Sequence, residues 1–119
     1  MEARVRGEAR SKSESAARAG VCPHFHAAVE LIGRRWSGAI IWMLTDRPHY
    51  FAELTAAVPG LSDRLLSTRL RELESEGLVE RRVHPGTPAR VSYALTEAGA
   101  RLEPTIRELD RWAKYRYED

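Results

Sequence analysis

Residues 62–77 read Ser-Asp-Arg-Leu-Leu-Ser-Thr-Arg-Leu-Arg-Glu-Leu-Glu-Ser-Glu-Gly, "SDRLLSTRLRELESEG". Ser62 is a good N-cap, Gly77 a good stop, and the run between them has a helical period. At about 100° per residue, Leu66, Leu70 and Leu73 fall on one face with Leu65 at its flank, and Arg64, Ser67, Thr68, Arg71 and Ser75 fall on the opposite one. Small hydroxyls framed by two arginines suit the major groove of DNA. Arg pairs with guanine O6 and N7, and Ser or Thr reaches a base edge or a phosphate without a clash. A polar helix face is more often merely solvated, and Glu72, Glu74 and Glu76 favour that plainer reading for the C-terminal half. The acids come late, however. Arg64, Ser67 and Thr68 occupy the N-terminal half, the end that usually enters the groove. Arg69 lies about 60° from Leu66, on the core side, and is expected to pair with a carboxylate rather than read a base.

Working outward, the period changes from 3.6 to two after Gly77. "LVERRVH" (78–84) and "RVSYAL" (90–95) flank the turn "PGTPA", which predicts a β-hairpin. Upstream, Phe51, Leu54 and Val58 mark a short amphipathic helix closed by Pro59-Gly60. Before it, Ser37 is the expected cap of an apolar helix over 37–44, which Asp46-Arg47-Pro48 breaks. The first helix starts at Pro23, carries Phe25, Val29 and Ile32 on one face, and stops at Gly33. Thr96 caps a last helix running toward the C-terminus, with Pro104 kinking it or limiting its first turn. The fold class is therefore mainly α with a small β-hairpin, in the element order of a winged helix-turn-helix. Residues 1–20, "MEARVRGEARSKSESAARAG", hold one large apolar residue, Val5. They are expected to form a flexible arm ahead of a domain spanning 21–119, and a solvated tail is a plainer role for its five basic residues than DNA contact.

Composition narrows the function classes. The net charge of the 119 residues is only +2, although 17 of the basic residues are Arg and 2 are Lys. Codon bias accounts for such an excess, so the placement of the arginines carries more than their number. Residues 62–92 hold six Arg against five acids, a net of +1, and the argument rests on segregation of charge. Arg81, Arg82 and Arg90 bracket the hairpin turn, where they are expected to lie along a phosphate backbone as a wing. The single cysteine fits a reducing cytoplasm. The longest apolar run, Ala39-Ile40-Ile41-Trp42-Met43-Leu44, is far short of a membrane span, and the charged N-terminus is no signal peptide. No nucleotide-binding glycine loop, zinc-type cysteine pair or His-Glu helix motif is present, so neither catalysis nor a cofactor is expected.

Taken together, these residues resemble the HxlR-type branch of bacterial winged-helix transcription regulators, close in architecture to the MarR type. The resemblance covers roughly residues 21–113. It rests on "CP" at 22–23, "LIGRRW" at 31–36, Phe51 with Glu53-Leu54, "PGLS" at 59–62, "RLRELESEGLVERRV" at 69–83, "PARVSYALTEAG" at 88–99, and Trp112. Where the family often has a second proline before the second wing strand, this chain has Pro88-Ala89; the family's basic-Trp pair is met by Arg35-Trp36. The resemblance implies a homodimer that binds an inverted repeat in double-stranded DNA near a promoter, most simply as a repressor. The third and fourth helices would form the helix-turn-helix and the hairpin the wing, so Ser62, Arg64, Ser67, Thr68 and Arg71 would read DNA. Some family members sense electrophiles or oxidants through the cysteine that aligns with Cys22.

Dimerisation is expected through the terminal helices: Phe25 and Val29 on the first, Leu102, Ile106, Leu109 and Trp112 on the last. The same stripes would otherwise belong to the core of one chain. In "VCPHFH" (21–26), Pro23 suits the first helical position and makes Cys22 the N-cap, beside the positive end of the helix dipole. Only Cys22 and His26 share a face there, too few ligands for a metal. Two readings of Cys22 stand: the sensor of an oxidant or small-molecule effector, or a buried helix-start cysteine. A further reading of the whole chain is a winged helix that binds a protein or a small molecule without sequence-specific DNA recognition.

Overall fold

The computed structural model describes residues 20–118; apart from Gly20, the arm expected over residues 1–20 lies outside them. The described chain divides between Ser37 and Gly38 into two compact units, within the span 21–119 read from sequence as one domain. The first carries α1 (Pro23–Ile32), with Cys22 at the N-cap and Pro23 in the first turn. Gly33 ends it, its N–H donating to the Val29 carbonyl at 2.8 Å. No residue of α1 is buried, and Phe25 is 63% exposed. Trp36 then takes φ +78°, a left-handed conformation, immediately before α2 (Ser37–Asp46). That helix runs two residues beyond the expected Leu44.

The second unit continues with β1 (His49–Tyr50), α3 (Phe51–Ala57), α4 (Asp63–Ser75), β2 (Val79–His84), β3 (Arg90–Leu95), α5 (Glu97–Ala100) and α6 (Glu103–Tyr117). Its three strands form an antiparallel sheet in the order β1-β3-β2. The hairpin register runs from Val79 opposite Leu95 to His84 opposite Arg90. β1 pairs His49 with Tyr93 and Tyr50 with Ser92, and the sequence pattern did not indicate it. Two residues are too few to show a period of two.

The core is aliphatic: Ile40, Ile41 and Leu44 from α2, Leu54 from α3, Leu66, Leu70 and Leu73 from α4, with Val58, Leu61, Val79 and Ile106. Among the described residues no buried side-chain nitrogen or oxygen lacks a hydrogen-bond partner. His49 Nδ1 lies 2.8 Å from the Arg47 carbonyl, which can only accept, so that nitrogen carries the proton.

The last helix expected from Thr96 is two helices. α5 ends at Ala100, and α6 begins at Glu103 with Pro104 in its first turn. Proline has no N–H and its ring clashes with the carbonyl four residues earlier, so it is accommodated where a helix starts afresh. The junction between α4, β2 and α5 is tight. The Thr96 hydroxyl donates to the Gly77 carbonyl at 2.5 Å and accepts from the Gly99 N–H at 3.1 Å. The Thr96 N–H donates to the Leu78 carbonyl at 3.0 Å. A Cβ on Gly99 would lie 2.1 Å from that same oxygen, so α5 packs on bare backbone.

At the start of α3, the Tyr50 N–H donates to a Glu53 carboxylate oxygen at 2.8 Å, and Arg47 pairs with the other oxygen at 3.0 Å. The Arg47 hydrogen bond, followed by the Tyr50 N–H, lowers the Glu53 carboxyl to about 2.

Two outcomes follow from these contacts. Gly99→Ala should destabilise the protein by about 1–3 kcal/mol, the usual cost of an overpacked site, read as a lower urea midpoint at unchanged slope. The Glu53 contribution is fully present above the ordinary carboxyl value of 4.5 and is lost as pH falls through about 2. Melting temperatures of wild type and Glu53→Gln should therefore differ by a constant amount from about pH 7 to 5 and converge near pH 2.

Candidate nucleic-acid interface

Helices α3 and α4 are joined by a five-residue turn in which Gly60 takes φ +88°. Val58 and Leu61 are buried on either side of it. Across the turn the Thr55 hydroxyl lies 3.1 Å from Asp63 Oδ1, fixing the start of α4 against α3. Ser62 caps α4 as expected, its Oγ accepting from the Leu65 N–H at 3.1 Å. The Ser62 proton is left to donate outward.

The wheel drawn from sequence matches the burial. Leu66, Leu70 and Leu73 are essentially inaccessible, while Arg64 and Arg71 are exposed and Ser67 and Thr68 half-buried between them. Arg71 Nη1 donates to Ser67 Oγ at 3.2 Å, and the Thr68 hydroxyl donates to the Arg64 carbonyl at 3.0 Å. Ser67 keeps its proton and a lone pair, and Thr68 its lone pairs, for a further partner. Arg69 pairs with Glu72 at 3.2 Å, so it is drawn back along the helix as its core-side position implied.

The three wing arginines do not form one group. Alternation along β2 puts Arg81 on the sheet face of Val79, Val83 and Tyr93, and Arg82 on the opposite face with His84, Arg90, Ser92 and Tyr50. Arg82 Nε donates to Glu80 Oε2 at 2.6 Å. Arg90 instead lies over the Tyr50 ring, its Cζ 3.6 Å from the centroid. Tyr50 and Phe51 border a surface cleft of about 380 Å³ beside Arg90, Val91 and Tyr93. Sequence reasoning did not assign Tyr50 to this surface, because its position follows from the unforeseen strand β1.

Cys22 is exposed, and its thiol makes no capping hydrogen bond, so it is not the buried helix-start cysteine of the second reading. Among the described residues no three His, Cys, Asp or Glu side chains cluster as metal ligands, and no helix is long and apolar enough to cross a membrane. The terminal-helix stripes divide. Phe25, Val29, Leu109 and Trp112 are exposed and Leu102 is half-buried. Ile106 is only 5% exposed and belongs to the core of its own unit, which removes it from the expected interface. The reason is rotational: Leu109 and Trp112 lie about 60° and 120° round the helix from Ile106.

An exposed basic arc on the second helix of a helix-turn-helix, followed by a hairpin, has counterparts among known proteins. Residues 31–119 match the family model for the HxlR-like helix-turn-helix. The chain belongs to the HxlR-like family. Over 93 residues it is 45% identical to YvaP, an uncharacterized HTH-type transcriptional regulator of Bacillus subtilis, a match covering 78% of this chain and 86% of YvaP. Its fold is similar to the reduced form of the transcriptional regulator YodB from B. subtilis, with a TM-score of 0.73 and 43% identity over 82% of this chain and 96% of YodB. The redox regulator HypR in its reduced form gives a TM-score of 0.73 at 33% identity, over 76% of this chain and 90% of HypR. This HxlR-like chain is thus a transcriptional regulator of the helix-turn-helix type with a winged-helix fold, in a family of DNA-binding regulators rather than enzymes.

Proposed function

We propose that this regulator binds an inverted-repeat operator as a homodimer and represses transcription from the adjoining promoter, with α4 in the major groove and the hairpin along the phosphate backbone. The observation that carries the reading is the arc of Arg64, Ser67, Thr68 and Arg71, exposed or half-buried, opposite three inaccessible leucines. Ser62 donates its remaining proton to a phosphate at the entry of α4. Arg82 and Arg90 meet the backbone from one face of the wing, and Arg81 from the other.

Two subunits reading half-sites about one helical turn apart combine their affinities, whereas one α4 with one wing binds weakly. Two sets of candidate dimer contacts are offered: Phe25 and Val29 on α1, and Leu109 and Trp112 with half-buried Leu102 on α6. All but Leu102 are large apolar side chains left exposed in the single chain. As a regulator of transcription the protein works in the cytoplasm.

Cys22 is the sensor of an oxidant or electrophile. Its thiol is exposed, and a structural neighbour, HypR, is a redox regulator. With one cysteine in the sequence, an oxidant that removes two electrons and two protons joins the Cys22 thiols of two subunits, or one of them to a small thiol. The modification changes the dimer's geometry and releases DNA.

Gel-shift titration with DNA from upstream of the protein's own gene tests the reading. Arg64→Ala and Arg71→Ala should each weaken specific binding by about 1–3 kcal/mol, while Arg82→Ala and Arg90→Ala weaken binding to any sequence and flatten its salt dependence. Scrambling one half-site should abolish the tight complex. Unchanged operator affinity in both α4 variants would remove the groove assignment. In the same assay a thiol oxidant should release wild-type protein and leave Cys22→Ser bound; equal release of both would exclude Cys22 as the sensor.

A further inference from the structure

Arg90 opens β3 at the exposed end of the wing, where a long side chain ordinarily samples many rotamers and loses that freedom on binding a phosphate. Here it is already held. Its Cζ lies 3.6 Å from the Tyr50 ring centroid, well inside the range of a cation–π contact. At that separation the guanidinium rests flat on the ring, because an N–H aimed into the ring would hold Cζ farther out. A guanidinium stacked in this way uses its face and keeps its N–H fork for oxygen acceptors. Among the described residues no carboxylate pairs with Arg90, and the nearest acid on this face, Glu80, is taken by Arg82.

The ring beneath it is fixed from several sides. Tyr50 is half-buried, pairs with Ser92 across the sheet, and donates its N–H to Glu53. The His84 ring meets it edge-on, with centroids 5.6 Å apart and planes at 66°. His84 Nε2 in turn lies 2.8 Å from Oγ of buried Ser92. A buried hydroxyl thus braces an imidazole, the imidazole braces a phenol ring, and the ring carries the cation. Neither Arg81 nor Arg82 has such a support.

We propose that Tyr50 is a positioning residue for DNA binding: its ring is the shelf that holds the Arg90 guanidinium ready for a phosphate at the turn end of the wing. The proposal rests on the reading of the wing as a backbone contact. Tyr50 acts through Arg90 by reducing the disorder that binding must remove, so any aromatic face at position 50 serves and the phenol hydroxyl is dispensable.

Two measurements test it. In the NMR spectrum of the free wild-type protein, the Arg90 side-chain protons should be shifted upfield by the ring current relative to those of Arg81. Binding is then titrated with a short mixed-sequence DNA duplex at low salt. Tyr50→Leu should weaken it by about two- to fivefold, Tyr50→Phe should bind as wild type, and Tyr50→Leu combined with Arg90→Ala should be no weaker than Arg90→Ala alone. Wild-type affinity in Tyr50→Leu, or a loss that adds fully to that of Arg90→Ala, overturns the proposal while the wing reading stands. So does an Arg90 spectrum without the upfield shift, a result that needs no variant to fold. If Arg90→Ala itself leaves affinity and salt slope unchanged, the wing reading fails and the shelf falls with it.

Discussion

The arrangement depends first on the burial of Leu66, Leu70 and Leu73. Each is inaccessible to solvent, and each stabilises the fold by about 1.5–3 kcal/mol relative to an exposed side chain. Together they set the rotation of α4 about its axis. A turn of one residue position, about 100°, would bring charged groups into the core and carry the leucines toward water. Which side chains α4 offers to a partner is therefore decided on its hidden side. Arg64 and Arg71, seven residues apart, share the exposed arc because seven residues come close to two full turns.

What was legible in the sequence was whatever depends on neighbours a few residues away. The N-cap at Ser62, the cap at Thr96 and the hairpin beyond Gly77 each follow from local chemistry, and each is found where the pattern put it. Arg69 was separable from the other arginines of α4 by its wheel position alone. What was not legible needed partners distant in sequence. β1 exists because His49 and Tyr50 find β3 more than forty residues downstream. Whether Ile106 lies inside and Trp112 outside depends on which arc of α6 the rest of the unit covers. Grouping Arg81, Arg82 and Arg90 by their closeness to the turn overlooked that adjacent strand residues point to opposite faces.

The arginines also differ in what already holds them. Arg69 and Glu72 are one turn apart on the same helix, and Arg82 and Glu80 are neighbours on one strand face. Exposed ion pairs of the second kind contribute about 0–1 kcal/mol, so exchanging a carboxylate for a phosphate costs little. Arg71 leans on a neutral hydroxyl and Arg90 on a ring, and neither has to leave a counter-charge before meeting an anion. The charge count over this region is almost balanced, yet among its five exposed arginines, Arg64, Arg71, Arg81, Arg82 and Arg90, only Arg82 is paired with an acid.

The close approach at Gly99 has a mechanical side. Thr96 is tied to both the Gly77 and Leu78 carbonyls, and no side chain separates α5 from that backbone. Two residues later α6 begins. The end of α4, the start of β2 and the short helix that leads into α6 are therefore held backbone against backbone, with no side chain at Gly99 that could adjust if one of them were displaced.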